Sequence, residues 1–541
     1  MRKKESKFFY SFLVILFVLT VDFIWFSQNN LPLMWDSALH FANILKFRNF
    51  FTGGNFSILN FLKLEPFYPP LFYLLENLFL LFLPVTIKSA KYLNVFFVLL
   101  LFGITYKFSY EILKKESTSL FAAAILVMSP HIWWTSRDVM LEVGTLFFMV
   151  LTLYFLIKTE NFKEKKFSIL SGISLGLSLI FKWTEFFILF FPILYYFYAS
   201  FIKYRKDYKN RMENFLNFLI SSLIIFAPWY GANFKYLADN FLFLSQGLGQ
   251  IEGDPARFTF YYFTYYLRAL LGHHLFIFLF LLFLLGLYKW IKSDVSYKFL
   301  IIWMILGPYV VLTLFSNKAY RHIIYVLPAI SIVISYFVFG IKSKWMKNLL
   351  IILTLIVIIF QSLMVSFDIF PFLPERCVLK HEDTCSFKER ILIPTSNGYK
   401  TTFKEYHDDI CCYVRNEFGI WGPPKWENWR IGEIMDYIKN RENGFFSLGL
   451  VFDHRYLNVW TFKDYQMLKG INCYIWRIAE KGDLKRFKYV LIKDGNQGPF
   501  WNTDENKEIM KRLIFSRDYV NLKMWKMPDG YSLYLYGKLR N

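Results

Sequence analysis

The chain has 541 residues, of which 55% are hydrophobic, 21% aromatic and only 19% charged. Soluble domains are usually less apolar and about 25% charged, so a single soluble globule, a disordered chain and a small disulfide scaffold are excluded. The net charge of +21 does not argue for nucleic acid. Residues 371–541 carry 28 Lys and Arg against 22 Asp and Glu (+6), and the first 370 carry 34 against 19 (+15). Those cations cluster in short loops between apolar runs, as in a membrane protein that fixes its orientation by charge.

After the basic start MRKKESK, residues 8–27 are long enough and apolar enough to span a bilayer. No small-residue cleavage site follows, so this run reads as an uncleaved first helix with a cytoplasmic N-terminus. Ten further spans are expected at 92–112, 118–134, 139–157, 167–181, 184–202, 213–230, 273–292, 297–316, 320–340 and 346–366. The stretch 71–83 is bracketed by Pro70 and Pro84 and contains Glu76 and Asn77. As a helix it would reach about 20 Å, short of a hydrocarbon core of about 30 Å. It therefore reads as a juxtamembrane or re-entrant helix on the outer face.

Loop charges agree with that choice. With eleven spans the cytoplasmic loops hold Lys114 and Lys115, then Lys158, Lys163, Lys165 and Lys166, then the basic cluster 203–211, then Lys289, Lys292 and Lys298, then Lys342, Lys344 and Lys347. The outer turns hold fewer cations, as the positive-inside rule requires. A twelfth span would invert every later loop.

The outer face then collects a distinct set of polar residues. The first outer loop, 28–91, carries Trp35-Asp36-Ser37, Glu65, Tyr68-Pro69-Pro70 and, near its end, Lys91. The second turn carries Arg137, Asp138 and Glu142, the third Lys182, and the fifth Lys318, Arg321 and His322. Ionisable groups at membrane depth are costly and usually functional, and cations beside carboxylates suit an anionic substrate such as a lipid phosphate. Bland readings stand beside this one. Asp36 could cap the following helix, Arg137 and Glu142 could form a structural ion pair, Lys182 could snorkel to the interface, and Asp138 reads as solvated.

After Ser366 the composition changes, and Pro371 and Pro374 mark a linker. Residues 430–442 show helical spacing, and 445–452, 488–493 and 531–537 read as strands. The architecture expected is a multi-span α-helical membrane domain (1–366) followed by a C-terminal α/β soluble domain (371–541) on the outer, extracytoplasmic face of the plasma membrane. All five cysteines, Cys377, Cys385, Cys411, Cys412 and Cys473, lie in that second domain. Cys377 and Cys385 are near enough in sequence to pair. The loop Asp453-His454-Arg455 after a strand could bind a ligand or simply be surface. The spacing contains no metal-ligating Cys/His pattern and no nucleotide-binding glycine loop.

Seven pieces in order resemble the GT-C superfamily of integral-membrane glycosyltransferases, nearest to its protein O-mannosyltransferase and aminoarabinose transferase branch. They are WDSALHFA (35–42), YPPLFYLL (68–75), SAKYLNVFF (89–97), SRDVMLEVGTLFF (136–148), GISLGLSLIFKWTEFFILFFP (172–192), APWY (227–230) and NKAYRHIIYVLPAI (317–330). The resemblance implies a catalytic acid at Asp36 and a second acid, Glu142, five positions after Arg137. It implies donor-phosphate contacts from Lys91, Lys182, Lys318, Arg321 and His322. The departures are Ser37 where an acid often follows, Lys91 for a commoner Arg, and Glu142 for a commoner Asp; they leave the branch and a divalent metal open. The implied reaction is an inverting single displacement that moves a hexosyl or pentosyl group from a polyprenyl-phosphate-linked sugar to a protein, lipid or glycan acceptor. The rival reading is a transporter or flippase of a lipid-linked sugar, which would use the same cations without a base.

Overall fold

A computed structural model of the chain describes residues 2–54, 56–203, 207–247, 255, 257–367, 369, 376–381, 384–390, 393–396, 424–442, 444–481, 483–498 and 503–539. The first two thirds are helical, and each of the eleven expected spans falls on a helix. Among the described residues, seven helical segments are long and apolar enough to cross a membrane: 9–28, 87–113, 185–202, 208–241, 260–291, 320–339 and 344–367. The other four expected spans fall on helices of fewer than 18 residues: Glu116–Val127, Glu142–Lys158, Lys165–Phe181 and Lys298–Leu314. The span expected at 118–134 is interrupted at Met128-Ser129, with Pro130 opening a separate short helix, Pro130–Ser136. Proline fits a first helical position, where its missing N–H would have no intrahelical partner anyway.

The proline-bracketed stretch forms the short helix Leu71–Phe79. Nine residues rise about 13 Å. It lies against the Trp35–Thr52, Ile87–Leu113 and Lys165–Phe181 helices. Small residues let helices approach. A Cβ on Gly172 or Gly176 would collide with the Phe218 or Ser222 carbonyl of the Tyr208–Gln246 helix. In an apolar solvent, association rests on such close packing.

Beyond the membrane part, β1 (Arg376–His381), β2 (Thr384–Arg390) and β3 (Ile393–Ser396) form an antiparallel sheet. Its register sets Cys377 opposite Lys388 and Cys385 opposite Lys380. Cys411 and Cys412 lie outside the described residues, and Cys473 is a buried free thiol.

A second sheet holds β4 (Phe446–Leu450), β5 (Cys473–Arg477), β6 (Tyr489–Lys493), β7 (Tyr519–Lys526) and β8 (Ser532–Lys538) in the order β5-β4-β6-β8-β7. β4 runs parallel to both β5 and β6, while β8 is antiparallel to β6 and β7. All five residues of β6 are buried, because alternate side chains enter opposite cores. Leu491 joins a core with Ile434, Met435, Ile438 and Phe462 of the helices Ile431–Lys439 and Val459–Lys469. Val490 and Ile492 join one with Ile509, Met510 and Leu513 of the helix Thr503–Ile514. The strands expected at 445–452, 488–493 and 531–537 are β4, β6 and β8. β5 and β7 complete the sheet.

Candidate active site

The Trp35–Thr52 helix begins at Trp35, with Met34 as a cap that offers no side-chain hydrogen bond. Asp36 therefore lies inside the first turn rather than capping it, where a negative charge suits the helix dipole. Its Oδ2 is 2.5 Å from Nη2 of Arg321, in the 3-10 turn Tyr320–Val326. Arg321 Nε is 3.8 Å from Glu142 Oε1, and Lys182 Nζ donates to the same oxygen at 2.9 Å. Glu142 opens the helix Glu142–Lys158, and Lys182 ends the helix Lys165–Phe181. Four separate segments thus bring two acids and two bases into one chain: Asp36, Arg321, Glu142, Lys182.

The chain is graded in exposure. The side chain of Asp36 is 40% exposed, Arg321 20%, Lys182 12% and Glu142 2%. Asp36 is the open end, and Glu142 is sealed beneath. Burial acts to raise the Asp36 carboxyl, but the Arg321 guanidinium outweighs it and holds the group below the ordinary carboxylate range. Asp36 is therefore ionised at neutral pH.

His322 is half-buried and feels the charges of Arg321, Lys182, Glu142 and Asp36. Lys91 is buried, with its charge acting on Asp138. Asp138 itself corrects the expectation of a solvated residue. It is 3% exposed, accepts from Ser37 Oγ at 2.5 Å and from the Val139 amide at 2.9 Å. Asn94 holds the turn by donating to the Asp138 and Met140 carbonyls. Ser37, the departure after Asp36, thus ties the Asp36 helix to the second outer turn.

Two expected residues sit elsewhere. Arg137 does not approach Glu142. Its Nε donates to Asp22 Oδ1 at 2.8 Å and its Nη2 to Ser366 Oγ at 2.8 Å, with Trp25 and Trp133 against the guanidinium. It is fully buried and links the first and last long apolar helices. The 318–322 cluster, read as one phosphate site, divides. Arg321 turns to the carboxylates, whereas Lys318 is 1% exposed and donates to the Leu312 and Thr313 carbonyls at 2.9 and 2.6 Å. Its ammonium lies 3.9 Å from the Tyr262 ring centroid.

Sequence reasoning gave no role to His40 or Tyr68. His40 follows Asp36 by four residues, so both lie on one helix face, and that spacing was the available signal. Its Nδ1 is 3.0 Å from the Tyr73 hydroxyl, and its ring meets the Tyr68 ring edge-on at 4.6 Å. Burial pushes the His40 imidazole down to about 4 against the pull of Asp36 and Glu142, which keeps it neutral. Among the described residues, no group of three or more His, Cys, Asp or Glu side chains is placed to hold a metal ion.

Comparison with known proteins adds a family. Residues 64–242 match the family model described as dolichyl-phosphate-mannose-protein mannosyltransferase. The resemblance read from the ordered motifs agrees with that match, which covers about a third of the chain within its multi-span membrane part. The match includes Lys91, Glu142 and Lys182 and stops short of Asp36 and Arg321. No curated protein matches the chain. Among solved structures, the chain is similar to ArnT from Cupriavidus metallidurans bound to undecaprenyl phosphate, at 14% identity and a TM-score of 0.49 over 65% of this chain. The apo form of that protein aligns at 13% identity and 0.47. The arabinofuranosyltransferase AftD from Mycobacteria aligns at 11% identity and 0.49 over 99% of this chain. The alignments span 64% of each ArnT chain and 42% of the AftD chain.

Proposed function

We propose that this protein transfers a sugar from a polyprenyl-phosphate-linked donor to an acceptor on the extracytoplasmic face of the membrane. The observation that carries the reading is the convergence of Asp36, Arg321, Glu142 and Lys182 from four distant segments, with Asp36 at the open end. A structural ion-pair network has no need of an accessible, ionised terminal carboxylate. The family match over 64–242 supports a transferase, and the undecaprenyl phosphate bound in the similar ArnT structure is a lipid carrier to test. In this topology the N-terminus is cytoplasmic and the sheet domain after residue 371 is extracytoplasmic.

The reaction is one displacement. The acceptor oxygen or nitrogen attacks the anomeric carbon, and its proton passes to the Asp36 carboxylate, 2.5 Å from Arg321. The bond from that carbon to the phosphate oxygen breaks, and the electron pair leaves with the polyprenyl phosphate. Arg321 and Lys182 neutralise the charge that develops there, with His322 beside them. Arg321 can exchange one carboxylate contact for the phosphate because a guanidinium presents several donors. Glu142 holds both cations at spacing. The single displacement inverts the anomeric centre.

The test is purified full-length protein with a labelled polyprenyl-phosphate sugar in bilayer discs and in sealed vesicles. Transfer of label to an acceptor, lost in Asp36→Asn with donor binding kept, supports the reading. Movement of the donor between leaflets without transfer makes the protein a flippase. Near-wild-type turnover in Asp36→Asn removes the proposed base.

A further inference from the structure

The C-terminal sheet is doubly wound around β4. The strand after it, β5, lies on one side, and β6 lies on the other. Connections leave in opposite directions at that point, and open α/β sheets bind their ligands in the crevice outside the carboxyl ends of such neighbouring strands. Here that position is closed by the protein itself. The Asp453 amide, just beyond β4, donates to the Gln497 carbonyl, just beyond β6, at 2.8 Å. Gly498 follows at φ +109°, and a Cβ on it would collide with the Asp453 carbonyl. Glycine is needed for the backbone angle and for the close approach alike.

A side chain of the membrane part reaches the Asp453 carbonyl. Trp35 Nε1 donates to it at 3.2 Å. Trp35 is the first residue of its helix and the immediate neighbour of Asp36. The junction around this contact is broad. Leu31 is part of the sheet's core, and Met34 packs against it. The Asn30 amide donates to the Lys425 carbonyl at 3.1 Å, and the Glu427 amide donates to Asn30 Oδ1 at 2.7 Å. In the other direction, Trp460 and Met467 of the helix that follows the loop pack against the membrane core. Tyr456, buried in the same loop, feels the charge of Asp138, the residue bonded to Ser37.

We infer that Trp35, seated at the switch point of the C-terminal sheet, is a positioning residue that makes this domain the brace of Asp36. The inference rests on the proposed function for its kinetic consequence. The physical cause is that a helix start is set by its first residues, and a base must be held within hydrogen-bond reach of the proton it takes. A small displacement of Trp35 moves Asp36 against Arg321 and the acceptor.

The test uses the full-length protein with two variants, Trp35→Phe, which keeps a ring and deletes the donor, and Gly498→Ala, which pushes the Asp453 carbonyl out of place. Both are measured for kcat, for donor KM and for amide hydrogen exchange over residues 38–43. The expected result is faster exchange there in both, kcat lowered about five- to tenfold, as a lost hydrogen bond of about 1 kcal/mol implies, and donor KM unchanged. A purely structural role would lower Tm while leaving kcat per folded molecule and the exchange unchanged, and that result overturns the inference. So does faster exchange with unchanged kcat. If wild-type protein transfers no sugar, the proposed function fails, and the exchange measurement alone then decides whether the sheet braces the Asp36 helix. If Gly498→Ala does not fold, Trp35→Phe carries the test.

Discussion

Two acid–base pairs in this molecule use the same chemistry for different ends. Arg137 and Asp22 are 0% and 2% exposed, and two indoles and the Ser366 hydroxyl close the pair off. Arg321 and Asp36 are 20% and 40% exposed, and the acid lies at the end of a chain of charges. The first pair joins helices far apart in sequence; the second leaves a carboxylate where a substrate can reach it. Charge alone does not separate a staple from a reactive group. Closure does, because a sealed pair is out of reach of any substrate, while an open one can exchange partners.

Exchanging the acids' roles experimentally would break this comparison. Asp36→Asn should lower turnover by about 10²–10⁴-fold with little change in Tm, read by transfer of labelled sugar and by thermal unfolding. Arg137→Met should do the reverse. It strands a buried Asp22 carboxylate at a cost of about 3–5 kcal/mol, so Tm and yield fall while turnover per folded molecule holds. Adding Asp22→Leu to Arg137→Met should recover much of that stability, because the unpaired charge goes with it. If Arg137→Met instead abolishes turnover in folded protein, the assignment of a staple is wrong.

The pH dependence sharpens the same contrast. The proposed reaction uses Asp36 ionised, and Arg321 holds its pKa below the ordinary carboxylate range. Activity should therefore persist as pH falls and be lost only below about 4, measured as kcat/KM against pH. An acid limb near 6 would assign the base to another group.

The smallest effect concerns the brace. Burial pushes the Asp453 carboxyl up to about 7, against the lowering influence of Arg477. A carboxyl with a raised folded pKa binds its proton more tightly folded than unfolded. Stability from this group should thus be present at low pH and decline as pH rises from about 4 to 7. Asp453→Asn, which keeps the backbone carbonyl that Trp35 uses, should flatten that dependence in a thermal-unfolding series.

Much of the molecule was legible in the chain. The apolar runs located the membrane helices, because about twenty contiguous apolar residues are a local property. Pro70 marked the start of the short helix, which ends at Phe79 rather than running on toward Pro84, and the motif around Asp36 pointed to the acid at the open end of the cluster. Glu142, Lys182 and Arg321 were named from separate loops, and the structure brings them within contact of one another. What could not be read was orientation within a turn. The sequence reads Asp138 as solvated, yet it faces inward to Ser37. Lys318 was grouped with Arg321, yet the short helical turn between them sends the two side chains to different partners. Arg137 was matched to Glu142 by spacing, yet its partner Asp22 lies 115 residues away.

The division has a physical basis. Hydropathy, proline placement and loop charge act over a few residues, so the sequence alone determined the helical membrane part, the later α/β sheet and the identity of most of the acids and bases on one face. Which acid meets which base depends on how helices rotate and cross, a balance of packing and small-residue contacts summed over the whole core. The tertiary structure alone decided that Arg137 is sealed, that Asp36 is open, and that a tryptophan beside it is held by a sheet more than four hundred residues further on.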